Sequence, residues 1–453
     1  MAMKLNPQQQ AVVEATEGAV LVLAGAGTGK TRTVTERIAH LVHGKKVPPA
    51  NIVAVTFTNK AAQEMKDRVR QRVGGSVPLR DMIVSTFHSL CLRILRADGA
   101  ALGYRPGFSI CDQGTQLSTV RRCQKEIAGI PKMKADDVLV AISRAKTKGL
   151  SPEAYAKGVF EENENAIARI YRRYQAALKA MNAMDFDDLM GNALALFRHH
   201  PDAVRHWQER TRYLMVDEFQ DTNLAQLELV KHMAAVNGNL CVVGDDDQSI
   251  YSWRGALPKN IVEFDRHFRD VTVIRLEENY RSTNTILRAA NAVIANNDGR
   301  VCKTLWSSLG DGAPISLMAA EDEEDEAARV IHRIKTSLDG GDTRPHDHAI
   351  LVRMNAQTRP FEDQLRAENI PYVVIGGQSF FDRKEVRDVM AYLAVFANPE
   401  DDSSLIRIIN TPARGIGTSS LEALGTAAAS RKVPLITLLR APESVPELSA
   451  AAV

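Results

Sequence analysis

The stretch VLVLAGAGTGKT, residues 20–31, decides the fold of this chain. Its aliphatic half predicts a buried β-strand, Val20–Ala24, and the residues after Thr31 have a helical pattern. Glycines between strand and helix let consecutive backbone N–H groups turn around a phosphate, and the helix N-terminus adds positive potential. In such a loop Lys30 reaches the β- and γ-phosphates, and the Thr31 hydroxyl is placed to bind Mg²⁺. The sequence therefore predicts an ATP site, with cofactors ATP and Mg²⁺, made by Ala24, Gly25, Ala26, Gly27, Thr28, Gly29, Lys30, Thr31 and Arg32.

Further apolar, β-branched runs flank this loop in the chain. They are Ile52–Thr56, Met82–Thr86, Tyr213–Asp217, Leu240–Gly244 and Thr272–Leu276. Near-continuous apolar strands separated by helical stretches are typical of a parallel sheet that is buried on both faces. Residues 87–212 contain few such runs and are rich in Ala, Lys, Arg, Glu and Gln, which predicts a mostly helical insertion.

A second α/β pattern follows residue 297. It predicts strands at His348–Arg353 and Pro371–Ile375, with a helix over Arg359–Glu368 between them. The acidic run Glu321–Glu326 is expected to open a helix as a solvated first turn, since the helix dipole favours negative charge there.

Composition sets outer limits on the function. At 453 residues we expect about three domains. The 57 basic and 55 acidic residues nearly balance, so a nucleic-acid surface must be a local patch. The five cysteines have no zinc spacing and suggest reduced thiols. There is no apolar signal core and no run of about 18 apolar residues, so we expect a cytoplasmic protein without a membrane span.

A carboxylate pair ends one of the predicted strands. Asp217 and Glu218 lie in VDEFQDTN, at the edge where ligands bind in open α/β sheets. Asp217 would hold Mg²⁺ opposite Thr31, and Glu218 would orient and deprotonate the attacking water. A surface turn that happens to carry two acids is the alternative. The preceding strand and the phosphate loop upstream favour the metal and base roles.

Six strings, in this order, resemble the motifs of superfamily 1A DNA helicases of the Rep/UvrD family: TFTNKAAQEM, STFHSL, DFDDL, VDEFQDTN, VVGDDDQSIYSWRGA and LEENYRS. The resemblance extends from LNPQQQ to INTPARGIG. It implies a P-loop NTPase with two recA-like parallel-sheet domains, each interrupted by a helical subdomain. The expected boundaries are 1–86 and 193–276 for the first recA-like domain, 87–192 for its insertion, 277–375 for the second and 376–453 for the start of its insertion.

The resemblance also implies roles for individual residues. Gln9 resembles the glutamine that reads adenine, and Tyr280 the aromatic that stacks on it. Gln248 resembles the γ-phosphate sensor and Arg281 the arginine that clamps the γ-phosphate. The positions that match DNA-contact motifs are Phe57, Asn59, Lys60, His88, Tyr251, Trp253 and Arg254.

The residues themselves support some of these roles and leave alternatives open. An aromatic beside polar and basic groups, as at Phe57, suits base stacking, although a core position is the alternative. Trp253 could instead pack against the first domain. Tyr280 and Arg281 could form an interdomain salt-bridge corner, and His88 could be a capping or core histidine.

From the family we expect an ATP-dependent 3′–5′ helicase acting on single-stranded and 3′-tailed duplex DNA, with protein partners in replication or repair. A P-loop ATPase that acts on proteins and an inactive binding module are the rival interpretations. Two late family motifs, LHxSKGLE and one with a TRA arginine, are not found before Val453. We therefore expect a truncated second domain, slow hydrolysis and no unwinding.

Overall fold

The computed structural model describes residues 4–74, 78–158, 161–375, 384–431 and 433–448. They divide into two compact units: Met1–Gly312 together with Ala394–Val453, and Ala313–Leu393. In the first unit a six-stranded sheet has the order β3-β2-β6-β7-β1-β8, and every neighbouring pair is parallel. Its strands, with the short pair β4 and β5, are β1 (Ala19–Ala24), β2 (Ile52–Thr56), β3 (Ile83–Thr86), β4 (Ser109–Ile110), β5 (Ala183–Met184), β6 (Tyr213–Val216), β7 (Leu240–Gly244) and β8 (Thr272–Leu276).

Helices occupy most of the remaining chain. They are α1 (Pro7–Glu14), α2 (Lys30–His43), α3 (Asn59–Val73), α4 (Phe87–Asp98), α5 (Gln113–Glu126), α6 (Ala135–Thr147), α7 (Pro152–Lys157), α8 (Glu162–Ala180), α9 (Phe186–His199), α10 (Pro201–Arg210), α11 (Leu224–Ala234), α12 (Lys259–Val262), α13 (Phe264–His267), α14 (Asn284–Ile294), α15 (Glu323–Asp339), α16 (Thr358–Ala367), α17 (Lys384–Ala397), α18 (Asp402–Ile408), α19 (Thr418–Arg431) and α20 (Leu435–Leu439).

The predicted α/β class and the parallel sheet are confirmed. All residues of β1, β2, β6 and β7 are buried, as their continuous apolar runs indicated. Small differences occur at strand ends: β3 begins at Ile83 rather than Met82, and β6 ends at Val216 rather than Asp217. The insertion after β3 is helical from α4 to α10, apart from the two-stranded β4–β5 pair.

Parallel pairing places the segments that carry the predicted site residues at one edge of the sheet. Since all six strands point the same way, the segments that follow them meet at their carboxyl ends. These segments are the phosphate loop after β1, Phe57 after β2, His88 after β3, Asp217 after β6, Asp245–Gln248 after β7 and Glu277–Arg281 after β8.

The second unit confirms two predicted helices. The acidic run opens α15, where the Asp322 side chain caps the helix by accepting a hydrogen bond from the Asp325 N–H. The helix expected over Arg359–Glu368 is α16, and its Phe361 and Leu365 pack with Ala327 and Ile331 of α15.

The strands predicted at His348–Arg353 and Pro371–Ile375 are wrong, since the structure has no strand across either segment. Alternation is present: Ile350 and Val352 pack against the core of the unit, while Leu351 is 91% exposed. A strand also needs a hydrogen-bonded neighbour, and no ladder pairs these segments in the part of the chain described. The pattern indicated a half-buried extended chain but could not supply the partner. Among the described residues, no helix is both long and apolar enough to cross a membrane.

Candidate nucleotide site and nucleic-acid track

The phosphate loop joins β1 to α2 with backbone angles that favour glycine. Gly27 and Gly29 have φ of 75° and 84°. A Cβ at Gly27 would lie 2.6 Å from Nδ2 of Asn279 and 2.8 Å from Cβ of Arg281. Thr28 is buried, and its hydroxyl donates to the Gly25 carbonyl at 2.8 Å. The loop is therefore a tight turn that the segment after β8 closely approaches.

Lys30, the first residue of α2, forms an ion pair with the predicted base. Its Nζ lies 3.0 Å from Oε2 of Glu218, and the two side chains are 10% and 34% exposed. Glu218 has a positive φ of 52°, which is uncommon for a residue with a Cβ. A phosphate in the loop would compete with this carboxylate for the Lys30 ammonium.

Three carboxyl groups gather near the Lys30 ammonium. Burial, followed by the charge of Glu218, raises the pKa of Asp217 to about 6 and that of Asp221 to about 6. Within the described chain, Oδ1 of Asp221 is buried without a hydrogen-bond partner. Mg²⁺ prefers hard oxygen ligands such as carboxylates. The three carboxylates outnumber the single ammonium beside them, so these residues fit the expected metal.

The residues expected at the adenine lie where α1 meets the loop. Gln9 is 1% exposed; its Nε2 donates to the Thr28 carbonyl at 3.0 Å, and its Oε1 accepts from the Asn6 N–H at 3.1 Å. The Tyr280 hydroxyl accepts from Nδ2 of Asn6 at 2.8 Å. Gln9 thus braces the phosphate loop, while Tyr280 is only partly buried beside it.

The Tyr280 segment is tied to the phosphate loop through its backbone and a neighbouring amide. The Tyr280 N–H donates to the Gly27 carbonyl at 2.9 Å. Asn279, 2% exposed, donates from Nδ2 to the Ala26 carbonyl and accepts from the Arg281 N–H at 2.8 Å. Sequence reasoning missed Asn279, although it stands directly before Tyr280 in LEENYRS. Of the two predicted arginines, Arg281 is exposed and Arg32 is half-buried.

Gln248 contacts a cluster of three aspartates to which sequence analysis gave no role. Its Nε2 donates to Asp245, and Nζ of Lys303 lies 2.9, 2.6 and 2.8 Å from carboxylate oxygens of Asp245, Asp246 and Asp247. The Lys303 side chain is 2% exposed. Although three aspartates so close together could hold a cation, Lys303 pairs with all three of them and Arg300 pairs with Asp247.

A glutamine connects the predicted base to this cluster. Nε2 of Gln220 donates to Oε2 of Glu218 at 2.9 Å, and its Oε1 accepts from the Asp245 N–H at 2.9 Å. Gln220 is 1% exposed. The loops after β6 and β7 are therefore joined through one buried amide, which sequence reasoning did not single out.

The predicted strand-contact aromatics fall into two stacks. Phe57 stacks on Tyr251 with ring centroids 5.3 Å apart, and Tyr251 lies 6.4 Å from Trp253. Trp253 is 73% exposed. His88 stacks at 3.9 Å on Phe186, a 53% exposed residue of the DFDDL string that received no role from the sequence.

The remaining predicted contacts are more loosely defined. Asn59 and Lys60 are exposed at the start of α3. The structure describes the backbone of Arg254, whereas its side chain lies outside the described residues. Burial lowers the pKa of His88 to about 4, so this side chain is neutral at pH 7 and suits stacking rather than phosphate pairing.

Comparison with known proteins adds a family to this geometry. The model of the UvrD/REP helicase N-terminal domain matches residues 5–269, and that of the UvrD-like helicase C-terminal domain matches 274–444. ATP-dependent DNA helicase Rep of Escherichia coli (strain K12) is 45% identical over 435 residues, 96% of this chain and 64% of that protein. ATP-dependent DNA helicase PcrA of Bacillus subtilis (strain 168) is 45% identical over 427 residues, 94% of this chain and 57% of that protein.

PcrA of Staphylococcus aureus (strain Mu50 / ATCC 700699) is 43% identical over 436 residues, 96% of this chain and 59% of that protein. The chain thus spans less than two thirds of the length of these curated relatives. A family model that matches more than half of the chain, together with relatives of this identity, establishes which family the chain belongs to. The chain belongs to the UvrD/REP helicase family.

Proposed function

We propose that this chain is the motor part of an ATP-dependent DNA helicase that moves 3′ to 5′ along single-stranded DNA. The observation that carries the proposal is the Lys30–Glu218 pair at the phosphate loop, which Gln220 joins to the loop after β7. That same loop leads into the partly buried Tyr251 and the exposed Trp253. Nucleotide chemistry and strand contact therefore share one edge of one sheet. The direction of movement rests on the family resemblance alone.

The chain's own residues suit ATP hydrolysis. Lys30 and the backbone of Gly25–Thr31 bind the phosphates, and Thr31 and Asp217 hold the metal. Glu218 orients the attacking water and accepts its proton. When bound, Mg²⁺ neutralises charge that develops on the transferred phosphoryl group. Gln248 and Arg281 act on the γ-phosphate.

Around this centre, Gln9 and Tyr280 contact the adenine of ATP, with Arg32 beside them. Residues 1–86 and 193–276 form the first recA-like domain and 87–192 its insertion. We assign 277–375 to the second recA-like domain and 376–453 to the following helical insertion.

The aromatic pairs suit a single strand better than a protein substrate. Stacking on Phe57, Tyr251 and Trp253 tolerates any base because every base has a π-face. His88 stacked on Phe186 offers a second platform. Asn59, Lys60 and Arg254 contact the sugar–phosphate backbone of the strand. A 3′-tailed duplex is then the natural substrate, in replication or repair in the cytoplasm, alongside protein partners of those pathways.

ATP turnover with and without single-stranded DNA tests this proposal. Stimulation by DNA of any sequence supports it, whereas stimulation by a protein and none by DNA favours the rival ATPase that acts on proteins. Glu218→Gln should keep MgATP bound and lower turnover by about 10²–10⁴. Asp217→Asn is the matched variant, and it should weaken Mg²⁺-dependent binding itself. Normal turnover by Glu218→Gln would show that the base is another residue.

A further inference from the structure

A groove of about 860 Å³ lies along the edge of the sheet, and no residue of the phosphate loop is among its described lining residues. Residues of α3, of the edge strand β3 and of α4 line it. We call it the edge groove and define it by Asn59, Lys66, Arg70, Arg80, Ser85 and Arg93. None of these residues except Asn59 has been given a role above.

The edge groove has a strongly positive lining in a protein whose total charge is nearly balanced. Four of its lining residues are Lys or Arg, and none is Asp or Glu. Arg70 also pairs with Asp67 at 3.3 Å. Lys66, Arg80 and Arg93 form no ion pair with any residue that the structure describes. Since charges of one sign concentrated in a concave site focus the potential, this lining favours an anionic ligand.

Hydrogen-bond donors are available at the same place. Oγ of Ser85 is buried without a partner among the described residues, which is a costly state for a hydroxyl. Asn59 and Ser89 line the groove in the first turns of α3 and α4, two helices of 15 and 12 residues. Both helix dipoles therefore place positive potential where Asn59 and Ser89 line the groove.

The remaining lining indicates which kind of anion fits. None of the described residues that line the groove is aromatic, so these residues offer bases nothing to stack on. Its apolar residues Ala62, Met82, Ile83 and Val84 are at most 9% exposed, whereas Leu79 is partly exposed. The lining therefore presents apolar surface beside four cationic side chains and several hydrogen-bond donors, and the cations and donors favour an anion that accepts hydrogen bonds. The sugar–phosphate backbone of a nucleic acid presents this chemistry without requiring base contacts.

We propose that the edge groove binds the phosphate backbone of single-stranded DNA, continuing the track on which Phe57 and His88 lie. The inference rests on the proposed function and extends it by a second segment of bound strand. Asn59 links the two parts because it is the second residue after Phe57 and also lines the groove. Bases are held at the aromatic stacks, while only phosphates are held in the groove.

The test compares the full chain with the triple variant Lys66→Ala/Arg80→Ala/Arg93→Ala. Binding to oligo(dT) of increasing length is measured from low to high salt. For long oligonucleotides the log–log salt slope should become shallower by roughly 2, at about 0.7 for each phosphate that the variant no longer neutralises. Affinity should fall equally for all base sequences. Oligonucleotides that cover only the aromatic stacks should bind the variant and the original protein alike.

Matched controls exclude a general effect of charge or folding. Arg172→Ala/Arg205→Ala/Arg266→Ala removes three arginines, 64%, 66% and 72% exposed, outside the groove, and should leave the slope unchanged. Lys66→Arg/Arg80→Lys/Arg93→Lys keeps the charge and should keep the slope. Circular dichroism and thermal unfolding verify the fold of each variant.

An unchanged slope for long oligonucleotides in the triple variant would overturn the inference. Poly-glutamate that binds the original protein but not this variant, with DNA binding unaffected, would instead assign the groove to an acidic protein segment. The proposed function fails separately: in that case the original protein itself does not bind single-stranded DNA.

Discussion

At the scale of single residues, Lys30 shows how the site is held ready. Its ammonium is nearly buried, and a charge in that position needs a partner. Glu218 is that partner, and Gln220 bonds to the same carboxylate oxygen. When a phosphate binds Lys30, the Glu218 carboxylate would lose this ion-pair partner.

His88 gives a prediction that depends on pH. Burial lowers its pKa from 6.5 to about 4, so the folded protein keeps the ring neutral and protonation favours the unfolded chain. Its contribution to stability is fully present above pH 6.5 and is lost as the pH falls toward 4. The unfolding free energy of the original protein should drop by roughly 2–3 kcal/mol more than that of His88→Gln across this window.

Denaturant titrations of both proteins at a series of pH values measure this difference, in which the titration of all other groups cancels. Parallel pH profiles for the two proteins would mean that His88 is solvated rather than buried against Phe186. At pH 6–8, by contrast, DNA affinity should not follow His88 protonation, because the ring is already neutral there.

At the scale of elements, the loops after β6 and β7 depend on Gln220 for their connection. Gln220→Met keeps a similar volume but removes the hydrogen bonds to Glu218 and to the Asp245 N–H. We expect ATP turnover without DNA to change little and stimulation by DNA to fall several-fold, because the aromatics beyond Gln248 lose their link to the base. Steady-state turnover with and without oligo(dT) measures the ratio.

Gln226→Met, in α11, is the matched control, since Gln226 is also buried but serves as part of a helix cap. It should cost stability and leave the stimulation ratio unchanged. A Gln220→Met protein with full stimulation would show that the coupling runs through another contact.

The helical insertion contains a buried charge network that supports Phe186. Nζ of Lys146 on α6 lies 2.6 Å from Asp185 and 2.8 Å from Asp188, and its side chain is 4% exposed. Asp185 caps α9, directly before Phe186. Lys146→Met leaves two buried carboxylates without their cation, so the unfolding free energy should fall by about 3–5 kcal/mol.

Urea unfolding measures this change in stability. Lys148→Met, two residues further at an exposed position, should change stability by less than about 0.5 kcal/mol. A small effect of Lys146→Met would mean that water or another group neutralises the aspartates.

At the scale of the whole molecule, the candidate site residues share one edge of one sheet. Parallel strands gather the phosphate loop, the carboxylates and the aromatics at their carboxyl ends although these lie far apart in the sequence. Phe57→Ala and Trp253→Ala should each weaken single-stranded DNA binding by roughly 1–3 kcal/mol without regard to base sequence. Fluorescence anisotropy with oligonucleotides of different composition measures this.

Phe396→Ala is the control, because Phe396 is 81% exposed and belongs to neither aromatic stack. It should bind DNA as the original protein does. A strong base preference, or an equal weakening in all three variants, would contradict a stacking track.

The sequence by itself determined the strands of the main sheet, the phosphate loop and the carboxylate pair. These features depend on local pattern: continuous apolar runs, glycines where φ is positive, and acids directly after a strand. Tertiary structure decided what cannot be local. Lys303 forms ion pairs with Asp245–Asp247 from more than fifty residues away, Asn279 bonds to the phosphate loop, and Gln220 connects two loops. His348–Arg353 fails as a strand for the same reason, because pairing requires a neighbour that the segment's own pattern does not specify.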